Sequence, residues 1–265
     1  MKPVFRRLLC AALAAALLIP PPSAFASDAL GHDLIAASAQ VGAGTALADG
    51  TFWSDSRSDF RQENYVVYTP SARVTPIVTC GNTTRELNTT ATEAAALEAR
   101  GYRVVAGING DYYGTAHGVP LGSTMTEGVL RNINGDEYCA VGFRADGTAL
   151  IGDPKLRMHT TVNGEAGADI FAFNHVRQSG YGIFLYDHRF NSGGTTDTSE
   201  PGVEVICTAL GGVLRIGGTL TLQVDEVLPE TKNTPVEPGK FVLSANLSAG
   251  ETYTAPLLAL QPATW

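Results

Sequence analysis

From Asn64 onward the chain alternates short apolar runs with polar, glycine-marked breaks, a pattern that predicts strands more often than helices. Tyr65 to Tyr68 and Arg73 to Cys80 are β-branched and aromatic, with a turn at Thr69-Pro70-Ser71 between them. One stretch reads as a helix, Ala91 to Arg100, with alanines and Leu97 in its interior. Thr90 and Glu93 stand at the capping-box spacing ahead of it, and Gly101 follows where a left-handed cap costs least. Arg103 to Ile108 is the next expected strand, and it delivers the chain to Asn109-Gly110-Asp111.

Beyond Tyr138 the pattern is mostly strands joined by short turns. Asp146-Gly147 separates Cys139 to Phe143 from Ala149 to Ile151, a hairpin signal, and Asn163-Gly164 predicts a second turn after Met158 to Val162. Gly211-Gly212 would join Val203 to Leu210 with Val213 to Ile216, and Leu220 to Val227 alternates as a further strand. The expected fold class is α+β: a β-rich mixed domain with one helix and several hairpins. Its expected span is 64–265, preceded by a polar leader over 27–63 that drapes over the domain or stays mobile.

The first 26 residues have a different character. Lys2, Arg6 and Arg7 precede an apolar run from Leu8 to Ile19; three prolines follow, then Ala24-Phe25-Ala26. This is the form of a cleavable secretory signal, and the run is shorter than the roughly 20 residues a spanning helix needs. The expected location is therefore secreted, extracellular or in the cell envelope, with no membrane insertion after cleavage. Loss of three positive charges takes the formal charge from −8 to −11, an acidic balance that argues against nucleic acid and anionic membrane as partners. Cys80, Cys139 and Cys207 would remain, an odd number lying in strand-like runs, so buried free thiols are expected. No Cys-x-x-Cys or His-x-x-x-His spacing supports zinc, and no cofactor or metal is implied.

Candidate chemistry concentrates between Val104 and Leu130. Gly107, Gly110, Gly114, Gly118 and Gly122 recur every three or four residues, leaving backbone N–H groups open to close approach. Asn109 and Asp111 emerge at the end of an expected buried strand. Asp111 can serve as acid, base or nucleophile and Asn109 can fix a hydroxyl or phosphate oxygen, although Asn-Gly-Asp is also ordinary turn chemistry. The glycine spacing fits neither a dinucleotide fingerprint nor a P-loop.

This segment resembles the opening motif of the phosphodiester glycosidase family, in Asn109-Gly110, Tyr112-Tyr113, Pro120-Leu121-Gly122 and Glu127-Gly128. A second stretch is similar in Asn174-x-x-Arg177, Ile183 to Tyr186, and Gly202 to Ile206, and a third in Phe241 to Ala245. The resemblance implies a hydrolase that removes a sugar such as N-acetylglucosamine from a sugar-1-phosphate diester, its partner a glycan or glycosyl phosphate. It assigns catalysis to Asp111 and Asn109, and substrate binding to Arg177, Tyr112, Gly122 and Asn174. Arg177 would grip phosphate oxygens, and Tyr112 and Tyr113 would stack on the sugar. His117 and His175 lie near the two matched segments as further acid/base candidates, whereas Glu127, Asp136 and Glu137 fall in turn-like contexts. The family's terminal Leu-Asp-Gly-Gly-Gly-Ser run has no counterpart, and a strand is expected at Leu257 to Leu260. The domain is accordingly expected to be C-terminally incomplete, with a non-catalytic glycan-binding module or an inactive family member as the alternatives.

Overall fold

A computed structural model describes residues 32–135 and 138–262; the expected signal and the Asp136-Glu137 pair lie outside them. The chain divides into two compact units, one holding the residues up to Thr75 with Leu97–Ile108, the other Pro76–Ala96 with Asn109 onward. The architecture is β-rich α+β.

The smaller unit departs from the sequence expectation. Strands β1 (His32–Gly42), β2 (Thr45–Ser54) and β3 (Asp59–Tyr68) form an antiparallel meander where a polar leader was expected. Hydrophobic alternation is weak here, so the signal lies in cross-strand pairs instead. Trp53 faces Phe60 across β2 and β3, their rings 5.1 Å apart and edge to face. Ala43-Gly44 closes the first hairpin, with Gly44 at a positive φ of 66°. Arg103 to Ile108, expected as a buried strand, is not in a strand, and Ile108 is 65 % exposed. Arg73 to Cys80 is likewise irregular. Both runs have strand-forming side chains, but neither has a ladder partner among the described residues.

Helix α1 (Thr90–Ala99) forms one residue earlier than expected. Thr89 caps it rather than Thr90: its hydroxyl accepts from the N–H of Thr92 at 3.1 Å. The Glu93 carboxylate accepts instead from the Thr79 hydroxyl and the Asn88 amide, at 2.6 and 2.8 Å. At the far end Gly101 adopts φ 93°, the left-handed cap the sequence predicts, and Tyr102 N–H reaches back to Leu97 C=O in a Schellman closure.

The larger unit is built on a five-stranded sheet. Its order is β10 (Ala172–Phe173), β11 (Phe184–Asp187), β14 (Lys240–Asn246), β12 (Gly202–Gly212), β13 (Leu220–Thr231). All neighbours are antiparallel except β10 and β11. Both faces of its centre are covered, so β11 is buried at every position, as the unbroken apolar run Ile183 to Tyr186 requires. One face packs Phe173, Leu185, Val203, Val205, Leu243 and Ala245 into a single cluster. The other packs Phe184, Tyr186 and Val242 against Val119, Phe190 and Val236.

Helix α2 (Glu251–Leu258) covers the first face where a strand was expected at Leu257 to Leu260. Tyr253, Leu257 and Leu260 recur at helical spacing and all touch the cluster, with Leu257 the buried member. The hairpins of β6 (Ala140–Phe143) with β7 (Ala149–Gly152), and of β8 (Met158–Val162) with β9 (Glu165–Ile170), form where their turn residues place them. Asn163 and Gly164 both have positive φ, as a two-residue primed turn demands. The Gly211-Gly212 turn does not form: β12 runs through both residues, and 213–219 make the connection. Among the described residues Cys80, Cys139 and Cys207 are free, but only Cys207 is buried, where desolvation pushes its thiol up to about 12; Cys139 is exposed.

Docking of α2 on the sheet rests on one buried aliphatic side chain. Leu257→Ala should lower the unfolding free energy by about 2–5 kcal/mol with an unchanged urea m-value. A loss under about 0.5 kcal/mol, the scale of a surface change, would contradict the docking.

Candidate functional site

Two groups of predicted residues lie in the larger unit, and they are held by different means. The first is the glycine-rich loop. Its two arms fold back on each other: Leu121 N–H bonds Tyr112 C=O at 2.8 Å, and Gly114 N–H bonds Val119 C=O at 2.9 Å. A turn at His117-Gly118 closes the far end, with Gly118 N–H on Gly114 C=O. Asp111 is exposed, yet one carboxylate oxygen accepts from the N–H of Gly122 at 2.7 Å. A Cβ on Gly122 would come within 2.8 Å of that oxygen, so the close approach depends on glycine.

The loop is wired to the fold by two asparagines that the sequence reading passed over. Strands β4 (Thr124–Thr126) and β5 (Val129–Asn132) follow the loop, joined by a turn in which Glu127 and Gly128 both have positive φ. Asn132, fully buried, donates its amide to Gly122 C=O at 2.7 Å; Asn134 donates to Leu121 C=O at 2.5 Å. Between them Ile133 exchanges backbone hydrogen bonds with Phe173, which anchors the segment to β10. The available signal was their place on either side of Ile133: polar residues at spacing two in a buried stretch must bond something.

Asn109 is exposed, and its side chain makes no hydrogen bond among the described residues. Tyr112 is 84 % exposed and Tyr113 47 %, so neither is a core residue. Their faces are open to a ligand. His117 accepts from Val119 N–H through Nδ1 at 3.2 Å, which fixes the neutral ring with its proton on Nε2. Burial first, and the nearby Arg85 charge second, hold its pKa below the usual imidazole value. Its ring meets that of His175 edge to face at 6.4 Å. Arg85, also missed in the sequence, donates through Nε to His117 C=O at 2.7 Å and pairs with Asp197 through Nη1.

The second group, Asn174 and Arg177, has a structural occupation. Asn174 is fully buried with φ 46°; its amide donates to Arg131 C=O at 3.0 Å and to the Asp187 carboxylate at 2.8 Å. Its carbonyl accepts from Asp187 N–H at 3.0 Å. A substrate oxygen has no access to it. Arg177 was expected to reach a phosphate, but its side chain is 2 % exposed and its guanidinium faces inward. Nη1 donates to the Ser244 hydroxyl at 2.8 Å and lies 3.4 Å from a Glu204 oxygen; Nη2 donates to Glu200 C=O. Burial lowers the Arg177 pKa, and the Glu204 charge opposes that shift.

Glu204 explains why Gly202-x-Glu204 and Asn174-x-x-Arg177 occur together. Glu204 receives the guanidinium, while a Cβ on Gly202 would collide with Nη1 of Arg177. The glycine makes room and the carboxylate supplies the charge. Beside this pair opens a cleft of about 680 Å³, lined by Arg177, Ser199, Glu200, Asn246 and Leu247 among others.

Among the described residues no three His, Cys, Asp or Glu side chains gather as a metal site. No helix among them is long and apolar enough to cross a membrane. Compared with protein-family models, curated proteins and solved structures, the chain matches none.

The tautomer of His117 has a consequence for stability. Burial and the Arg85 charge oppose protonation of His117, and a protonated Nδ1 would face Val119 N–H with a second donor, so the folded state takes up the proton less readily than the unfolded chain. The stability this contributes is complete above the ordinary imidazole pKa of about 6.5 and is lost as pH falls through the lower, folded value. His117→Gln keeps an acceptor for Val119 N–H and does not titrate. It should lose less stability than the wild type in urea unfolding between about pH 7 and 5; parallel pH profiles would contradict the assignment.

Proposed function

We propose that this protein is an exported hydrolase that cleaves a sugar from a glycosyl-1-phosphate diester in envelope or extracellular glycans. The observation that carries the reading is the Asp111 carboxylate: one oxygen pinned by Gly122 N–H at 2.7 Å, the residue exposed, and Tyr112 open beside it in sequence. A held but accessible carboxylate is what a water-activating base or a nucleophile at an anomeric carbon requires. In the reaction the C1–O bond breaks, the oxygen leaves with the phosphate as a monoester, and water supplies hydroxide to C1 and a proton to the phosphate. The monoester is a good leaving group, which relaxes the need for a strong acid. Tyr112 and Tyr113 offer rings for the apolar face of the sugar, and Asn109 offers a free amide for its hydroxyls. Export is supported by the charged, apolar and small-residue order of the first 26 residues.

A second reading is a glycan-binding module without turnover. It is favoured by the internal engagement of Arg177 and Asn174, which leaves Asp111 without a built phosphate grip from those residues. The methyl ester of N-acetylglucosamine 1-phosphate separates the two. Hydrolysis by the wild type should fall about 10²- to 10⁴-fold in Asp111→Asn, which keeps an acceptor for Gly122 N–H and hence the loop. Equal turnover by both proteins would remove Asp111 from the site. Saturable binding with no release of sugar would establish the second reading instead.

A further inference from the structure

The Asp111 carboxylate is exposed, and one peptide group fixes it. The unit joining Leu121 to Gly122 donates its N–H to a carboxylate oxygen of Asp111 at 2.7 Å. On the opposite edge of the same unit, Leu121 C=O accepts from the side-chain amide of Asn134 at 2.5 Å. In a trans peptide the C=O and N–H point in opposite directions, so the two bonds form one chain through the group. Asn134, only 7 % exposed, stands at its buried end and Asp111 at its solvent end.

Glycine creates the need for the buried contact. Gly122 has no Cβ, which admits the Asp111 oxygen but also leaves the backbone free to turn. Rotation about ψ of Leu121 and φ of Gly122 would flip the peptide and aim a carbonyl oxygen at the carboxylate. The bonds on either side do not oppose this. Leu121 N–H is held by Tyr112 C=O at 2.8 Å and Gly122 C=O by the Asn132 amide at 2.7 Å, but both groups belong to the adjacent peptides. Among the described residues, Asn134 is the donor to the carbonyl that would swing. A flip would strand that buried amide, at the cost of an unmade hydrogen bond. Asn134 also donates its backbone N–H to the Ser123 hydroxyl at 3.3 Å, so it grips the loop on both sides of Gly122. Its donation polarises the peptide as well, because a group whose oxygen accepts a hydrogen bond donates a stronger one.

We infer that Asn134 is a positioning residue for Asp111, acting through the Leu121–Gly122 peptide. It fixes the direction of the N–H that aims the carboxylate and strengthens the bond between them. Asn132, one peptide further along, anchors the loop without this effect. The role rests on the reading of Asp111 as the working carboxylate, although the coupling of the two bonds requires no turnover.

NMR of the isotope-labelled protein tests the coupling in both directions. Asp111→Ala removes the acceptor and should move the Asn134 side-chain amide protons, across the peptide, while those of Asn132 stay in place. Asp111→Asn, which keeps an acceptor, should move them less. Asp111 is exposed, so neither variant disturbs the core. In the reverse direction, Asn134→Leu removes the donor at nearly the same volume. Hydrogen exchange at Gly122 N–H should then quicken about tenfold or more, against less than about threefold in Asn132→Leu. With the methyl ester of N-acetylglucosamine 1-phosphate, Asn134→Leu should lower kcat about tenfold or more and leave KM within about threefold, the mark of a displaced working group. Asn134 amide protons that stay in place in Asp111→Ala, Gly122 exchange equal in the Asn134 and Asn132 variants, or an unchanged kcat would each overturn the role. A wild type that shows both couplings but releases no sugar would remove the hydrolase reading and leave the coupling standing.

Discussion

A carboxylate taken out of water must be matched by donors, and in the larger unit Glu204 imposes that requirement on everything around it. It is fully buried in the middle of the sheet. Its oxygens accept from the hydroxyls of Thr196, Thr198 and Ser244, from Thr234 N–H, and from Arg177. The effective penalty for burying such an ion is several kcal/mol, recovered only when its lone pairs are filled. Those donors come from separate stretches of chain, and none can leave without exposing the charge to an apolar interior. The loops at 196–198 and 234 are therefore held to β12 and β14 by electrostatics as much as by packing. Asn174 repeats the principle on a smaller scale, tying β11 to the strand that carries the glycine loop.

Much of the fold was legible because its signals are local. The Asn163-Gly164 and Asp146-Gly147 turns, the Gly101 cap and the doubly buried run at Ile183 to Tyr186 each require little beyond their own residues. The errors arose where partners decide. Arg103 to Ile108 has the side chains of a strand but no ladder neighbour among the described residues, and the meander from His32 has neighbours but little alternation. Leu257 to Leu260 reads as a strand because four positions cannot distinguish periods; Tyr253 extends the stripe and reveals the helix.

The site was legible in the same uneven way. Asp111, Tyr112 and Asn109 remain open to solvent, as residues at the mouth of a loop should be. Arg177 and Asn174 carry the residue types of a binding site, yet their polar groups are directed into the fold. Residue type alone cannot make that distinction, because a guanidinium that binds a ligand and one that balances a buried carboxylate look alike in sequence. Gly202 and Glu204 were the missing clue. A glycine two positions before an acid in an otherwise apolar strand marks where another charged side chain passes.

Arg177 and Glu204 therefore act as one unit. A double-mutant cycle with Arg177→Met, Glu204→Gln and the combined variant, followed by urea unfolding, measures that directly. The arrangement described here predicts a double variant markedly more stable than the sum of the single losses would give, with a coupling of about 1–3 kcal/mol. Losses that add to within about 0.5 kcal/mol would contradict it, and would return Arg177 to the ligands outside the fold.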